Sequence, residues 1–346
     1  MKFSPQGLAT AIGSFPHREP AAACELILKY IPEIPIWPQL PNADFREQME
    51  IQYSEGMPCV VVDEEKERIY FETGGDPTGE LEKFYENVVE ENLDHFRITP
   101  EYSRGLYCME EKLASMDLGT IQFLKCHVTG PLTFGLSKTD ENKRSIYYNE
   151  IFRDVVVKGI AMKARWLLQR FHPLGCRQIC FVDEPIFSAF GSSTYVSLQR
   201  SDVVGCLGEV VEAIHEEGAL AGTHCCGNTE WTILIDAGVD IMSFDAFGYG
   251  ETIAYYADRI KDFLENGGIL ACGIVPTSEM IREQTPESLA GRLNAFVKNL
   301  TSKGIGENIV LQQCMLTPSC GTGSLTVALA EEIFGKLSDL SRLIRS

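Results

Sequence analysis

Histidine and cysteine meet at His224-Cys225-Cys226, and a further cysteine, Cys320, stands far downstream in Thr317-Pro318-Ser319-Cys320-Gly321. In an extended segment, residues two apart project to the same side, so His224 and Cys226 share a face and Cys225 points away. One imidazole and two thiolates are a donor set that Zn²⁺ favours, and three protein ligands with a free fourth position mark a catalytic rather than a structural zinc. Spacing alone leaves open a chance cluster in a chain with 12 cysteines. Two further positions have chemistry to offer. Asp183 and Glu184 are adjacent acids in Val182-Asp183-Glu184-Pro185, and Asp245 closes Ser243-Phe244-Asp245.

The elements that must hold these residues read as β-rich runs alternating with helical stretches. Strands are expected at 8–14, 34–37, 120–128, 177–182, 219–224, 239–244, 268–273 and 308–314. Helical patterns follow the first and fall at 145–171, 202–217, 229–236, 251–265, 286–303 and 324–337, the alternation of a parallel α/β sheet. Eight such units predict a closed (β/α)8 barrel, a TIM barrel, filling 1–346 as one catalytic domain. Residues 43–117 read as an insertion between strands two and three, with a hairpin built from PCVVV and RIYFE. The acid-rich stretch 80–92 reads as a solvated helix face.

In such a barrel the loops after the strands build the site. The residues at those positions are Ser14, Thr129-Gly130-Pro131, Asp183-Glu184, His224-Cys225-Cys226, Asp245 and the Cys320 loop. Strands five and eight open onto one mouth, which brings Cys320 to the same end as His224 and Cys226. Adjacent acids at a strand end make Asp183 and Glu184 candidate catalytic residues, although either also suits a structural ion pair. Thr129 is a candidate for substrate contact, and Ser14 suits a helix cap.

Thirty Lys and Arg against 49 Asp and Glu give a net charge of −19, which repels nucleic acid and anionic membranes. No apolar run is long enough for a membrane span, and the opening residues lack the basic end and apolar stretch of a signal peptide. The expectation is a cytoplasmic protein whose cysteines are reduced, with Cys126, Cys176, Cys180 and Cys206 serving as small core residues.

Taken in order, IGSFP (12–16), VTGP (128–131), VDEP (182–185), HCC (224–226), SFD (243–245) and PSCG (318–321) resemble the catalytic barrel of cobalamin-independent methionine synthase over nearly the whole chain. The resemblance implies a zinc ion on His224, Cys226, Cys320 and an acidic residue, here Asp245 where the family has Glu. It further implies contacts from Ile12 and Ser14 to an amino acid substrate, homocysteine, with Asp183 pairing its ammonium group. The expected activity is zinc-dependent methylation of that thiol to methionine.

Two departures bear on the methyl donor. The family's long-chain members carry a second barrel-like half before the catalytic one, and the sequence reads as the catalytic core alone. Their loop after the seventh strand bears an Asp-x-His pair, whereas this chain has Pro276-Thr277-Ser278. A folate methyl sits on an amine that leaves only when protonated, while a methylcorrinoid releases its methyl without an acid, so the expected donor is a methylcorrinoid. No corrinoid-binding Asp-x-His-x-x-Gly signature is present, so the corrinoid is expected on another protein. The competing readings are a coenzyme M-type thiol methyltransferase, whose acceptor has no ammonium for Asp183, and a metal-free enzyme like uroporphyrinogen decarboxylase. A binding module whose zinc only staples loops is the non-enzymatic alternative.

Overall fold

The computed structural model describes residues 3–191 and 198–346. Its main sheet has six parallel strands in the order β3-β4-β5-β6-β7-β8, and a separate two-stranded antiparallel sheet is formed by β1 (Val60–Asp63) and β2 (Arg68–Phe71). The six are β3 (Leu124–Thr129), β4 (Gln178–Asp183), β5 (Leu220–Cys225), β6 (Ile241–Phe244), β7 (Ile269–Val275) and β8 (Cys314–Pro318). Every residue in these six strands is buried, as expected of a parallel sheet covered on both faces. Helices such as Glu150–Phe171, Arg200–Glu216, Pro286–Ser302 and Val327–Arg345 connect or follow them.

This corrects the expected closed eight-stranded barrel. The architecture is α/β, with a six-stranded parallel half-barrel, and neither 8–14 nor 34–37 forms a strand. Their pairing is limited to the isolated bridges Ala9–Leu316, Ser14–Gln39 and Ile36–Lys125. The reason lies in the second segment, where Pro32, Pro35, Pro38 and Pro41 recur every third residue. Each removes an N–H, so a ladder along this segment is broken at every third residue and only single bridges form, and the first segment loses its regular neighbour.

A second correction concerns the last strand. Residues 308–314 read as a strand, but Glu307–Gln312 is helical and β8 begins at Cys314. The run Ile309-Val310-Leu311 buries only Val310 fully, which marks a one-sided helix rather than a strand hidden on both faces. The hairpin in the insertion forms as expected, and the acidic helix Thr78–Val89 buries only Phe84 while Glu82 and Glu86 face solvent.

Side-chain parity divides the half-barrel into two faces. Cys126, Val128, Cys180, Val182, Ala221, Met242, Phe244, Leu270 and Cys272 point outward into the main core beneath the helices. Phe123, Ile179, Phe181, Leu220, Ile241, Ile269, Ala271 and Met315 point inward and form an apolar floor with Phe3, Leu8 and Ile34. Toward the C-terminal ends of the strands the inward positions turn polar, with Lys125, His127, Thr129, Asp183, His224, Ser243 and Thr317 all of the inward parity. Pairing register sets Thr129 beside Asp183, Asp183 beside His224, and His224 beside Ser243, one row across four strands.

Candidate metal centre

Ligand atoms of His224, Cys226 and Cys320 all lie within 4.8 Å of one another, the only such His/Cys/Asp/Glu group among the described residues. β5 supplies the first two. His224 is the inward residue next to its end, and Cys226 follows just beyond it with the same parity, while Cys225 turns outward into the core and contacts the Gly227 carbonyl at 3.6 Å.

Cys320 arrives through a braced loop beyond β8. The register shifts between Gly273 and Val275 on the neighbouring strand, and Ser319 N–H donates to the Val275 carbonyl at 2.8 Å. Thr277 N–H donates to Ser319 Oγ at 3.1 Å, and the two hydroxyls meet at 2.9 Å. On the far side, a Cβ on Gly321 would stand 2.2 Å from Ser14 Oγ, so any other residue there requires the Ser14 hydroxyl or the loop to shift. The 276–278 loop, where the resembled family has its acid pair, is thus engaged in holding the loop that carries Cys320.

His224 is oriented for ligation. Its Nδ1 bonds Ser243 Oγ at 2.9 Å, and its Nε2 is buried without a hydrogen-bond partner. The adjoining Cys320 thiol holds the Cys226 thiol below its ordinary range, while that closeness and burial push Cys320 up. The pair therefore gives up its first proton readily and holds its second. A metal ion that displaces this proton would meet two thiolates and one imidazole lone pair.

The cluster opens into a cavity of about 320 Å³ lined by Ile12, Ser14, Gln39, Asp183 and Met49 as well as the three ligands. Asp183 lines this cavity at 8 % exposure, and its Oδ1 is a buried acceptor without a partner. Burial pushes its carboxyl up to about 6, against the pull of the nearby Lys125 ammonium. Ser14 accepts from Gly323 N–H at 3.3 Å, and its carbonyl accepts from Thr322 N–H and Oγ1.

No protein-family model and no curated protein matches this chain.

Three expected site residues are placed differently from the ligand cluster. Glu184 is turned into the protein, where Oε1 accepts from Leu132 N–H at 2.9 Å and Oε2 accepts from Thr133 N–H at 2.8 Å and Thr133 Oγ1 at 2.6 Å. It caps the helix Pro131–Ser137, and burial holds its carboxyl up to about 7 despite those bonds. Asp245 lies outside the 4.8 Å group, because its Oδ1 accepts from Gly248 N–H at 2.7 Å and caps the turn Ala246–Tyr249. Burial raises its carboxyl as well. Thr129 is buried beside Asp183 with an unpartnered hydroxyl, but it does not line the cavity.

Several residues that position the site escaped sequence reasoning. Lys125, fully buried, donates to the Ile12 carbonyl at 2.7 Å and lies 4.0 Å over the Phe181 ring. It props the segment that brings Ile12 and Ser14 to the cavity, and a lysine inside LKCHVT was the signal available. Gln39 donates to Gln52 at 2.9 Å, which donates to the Tyr102 carbonyl at 2.7 Å, so the insertion fixes that cavity amide. Ser243, a lone hydroxyl in IMSF, gave its only hint through parity with Asp245.

Proposed function

We propose that this protein is a zinc-dependent thiol methyltransferase, that its acceptor is homocysteine, and that the methyl donor is a methylcorrinoid carried by another protein. The carrying observation is one cavity holding both a His-Cys-Cys cluster and an unpartnered buried carboxylate oxygen. The donor set suits zinc, and the orphaned Nε2 of His224 is the kind of buried lone pair that a metal satisfies. When bound there, zinc supplies a Lewis acid that keeps a thiol as the nucleophilic thiolate at neutral pH.

The protein's own groups supply the rest. Asp183 offers its free oxygen to an ammonium group, which favours an amino acid thiol over a sulfonate thiol with no cation to bind. Ile12 and Ser14 bound the same cavity and orient the remainder of the acceptor. In the transfer, the homocysteine sulfur forms a bond to the methyl carbon as the cobalt–carbon bond breaks, with the electron pair retained by the corrinoid. No proton need be delivered to that leaving group. Consistent with this donor, Thr277 has its hydroxyl committed to Ser319, and the 276–278 loop holds no acid.

X-ray absorption at the zinc edge, with and without homocysteine, tests the metal and acceptor together. One nitrogen and two sulfur ligands, joined by a third sulfur on adding homocysteine, are expected. An unchanged sulfur count would refute thiol activation. Methionine formation from methylcobalamin or a methylcorrinoid protein should exceed that from methyltetrahydrofolate, and equal folate turnover would refute the donor.

A further inference from the structure

β6 turns Ser243 inward next to the cluster, Asp245 follows just beyond the strand with the same parity, and the two are used differently. We infer that Ser243, not Asp245, is this strand's contribution to the metal centre: its hydroxyl accepts the Nδ1–H of His224 and so makes Nε2 the metal-binding atom. The inference rests on the zinc reading above and adds a positioning residue to it.

A neutral imidazole carries one proton on one of its two nitrogens. Placed on Nε2, that proton would point at the cysteines and remove the lone pair a metal needs. Placed on Nδ1, it has one acceptor available, Ser243 Oγ at 2.9 Å, which is fully buried and directly across the ladder in register. Among the described residues Ser243 Oγ has no other partner. Water does not compete, since His224 is 3 % exposed and Ser243 is 0 % exposed. An outer partner of this kind fixes ring orientation and tautomer together.

Asp245 has other work. Its Oδ1 is held by Gly248 N–H at 2.7 Å, and the turn is so tight that a Cβ on Gly248 would lie 2.7 Å from its Oδ2. Reaching the metal would require giving up that cap. The centre therefore has three protein ligands and keeps its fourth position for the substrate.

Zinc affinity, measured by chelator competition on the full chain, separates these roles. Ser243→Ala should weaken binding by about 10- to 100-fold, the usual cost of losing an outer-shell partner. Ser243→Thr, which keeps the hydroxyl, should restore most of it, and Asp245→Asn, which keeps the cap, should bind as wild type does. Wild-type affinity in Ser243→Ala, or a loss in Asp245→Asn as large as the one expected of Ser243→Ala, overturns the inference while leaving the zinc reading intact. Failure of the wild type to bind zinc overturns both. If Ser243→Ala does not fold, ¹⁵N-histidine NMR of zinc-loaded wild type decides, with the His224 proton expected on Nδ1 and a proton on Nε2 refuting the assignment.

Discussion

Replacing Glu184 with alanine distinguishes a catalytic carboxylate from one that builds the wall behind the site. In the structure its two oxygens take three donors: Leu132 N–H, Thr133 N–H and the Thr133 hydroxyl. The hydroxyl can turn away, and it already accepts from Ile186 N–H at 3.3 Å. The two backbone donors cannot, and each buried N–H left without an acceptor costs about 1–3 kcal/mol, so Glu184→Ala should lose about 2–6 kcal/mol. Spread over 346 residues, with an unfolding entropy of about 2 cal/mol/K per residue, that is a fall of roughly 3–8 °C in Tm. Glu184→Gln keeps one acceptor oxygen and should lose about half as much. Gly130→Ala attacks the same contact from the other side, because its Cβ would stand 1.9 Å from Glu184 Cδ. In the Glu184→Ala background that clash is gone, so the double mutant should be less destabilised than the sum of the singles. Thermal unfolding and zinc content give the assay. A Glu184→Ala protein that melts at the wild-type temperature but has lost turnover would refute the reasoning and return Glu184 to the chemistry.

The remaining predictions concern the cavity itself. Asp183→Asn should raise the KM for homocysteine with zinc content unchanged, and equal loss of zinc would move Asp183 into the metal shell. Because only the ionised carboxylate pairs with the ammonium group, and burial holds the free enzyme's Asp183 up to about 6, wild-type kcat/KM should fall as pH drops through that value; a limb near 6 surviving in Asp183→Asn would refute the assignment. Cys226→Ser and Cys320→Ser should each abolish stoichiometric zinc, and retention in either would remove that residue from the ligand set. Gly321→Ala should weaken zinc binding without touching a ligand, since its Cβ would strike Ser14 Oγ and push the Cys320 loop outward; unchanged affinity would show that the loop yields freely.

Much of the sheet could be read from the chain because strands buried on both faces are short, nearly continuous apolar runs: QICFVD, IMSF and ILACGIV carry that mark unaided. Parity then tells which residues look inward, so His224 and Cys226 together, with Cys225 away, follow from spacing alone. Pairing of neighbours across the sheet does not. The prolines of 32–41 were visible as residues, but their consequence, a half-barrel of six strands flanked by isolated bridges, depends on which donors the adjacent edge requires. The run at 308–314 has too few apolar residues for periodicity to separate helix from strand, and its one-sided burial decided it.

The same division runs through the site. Residue types determined that a soft-metal donor set and three acids would lie near the ends of strands. Tertiary structure decided which of those groups are free to react, because a carboxylate already bonded to backbone donors is structural and one facing a cavity without a partner is available. By that criterion Glu184 and Asp245 are committed to caps, whereas Asp183 and the Nε2 of His224 remain open. A sequence names the donors and acceptors it contains, but hydrogen bonds between residues distant in the chain are made only when the fold brings them within about 3 Å.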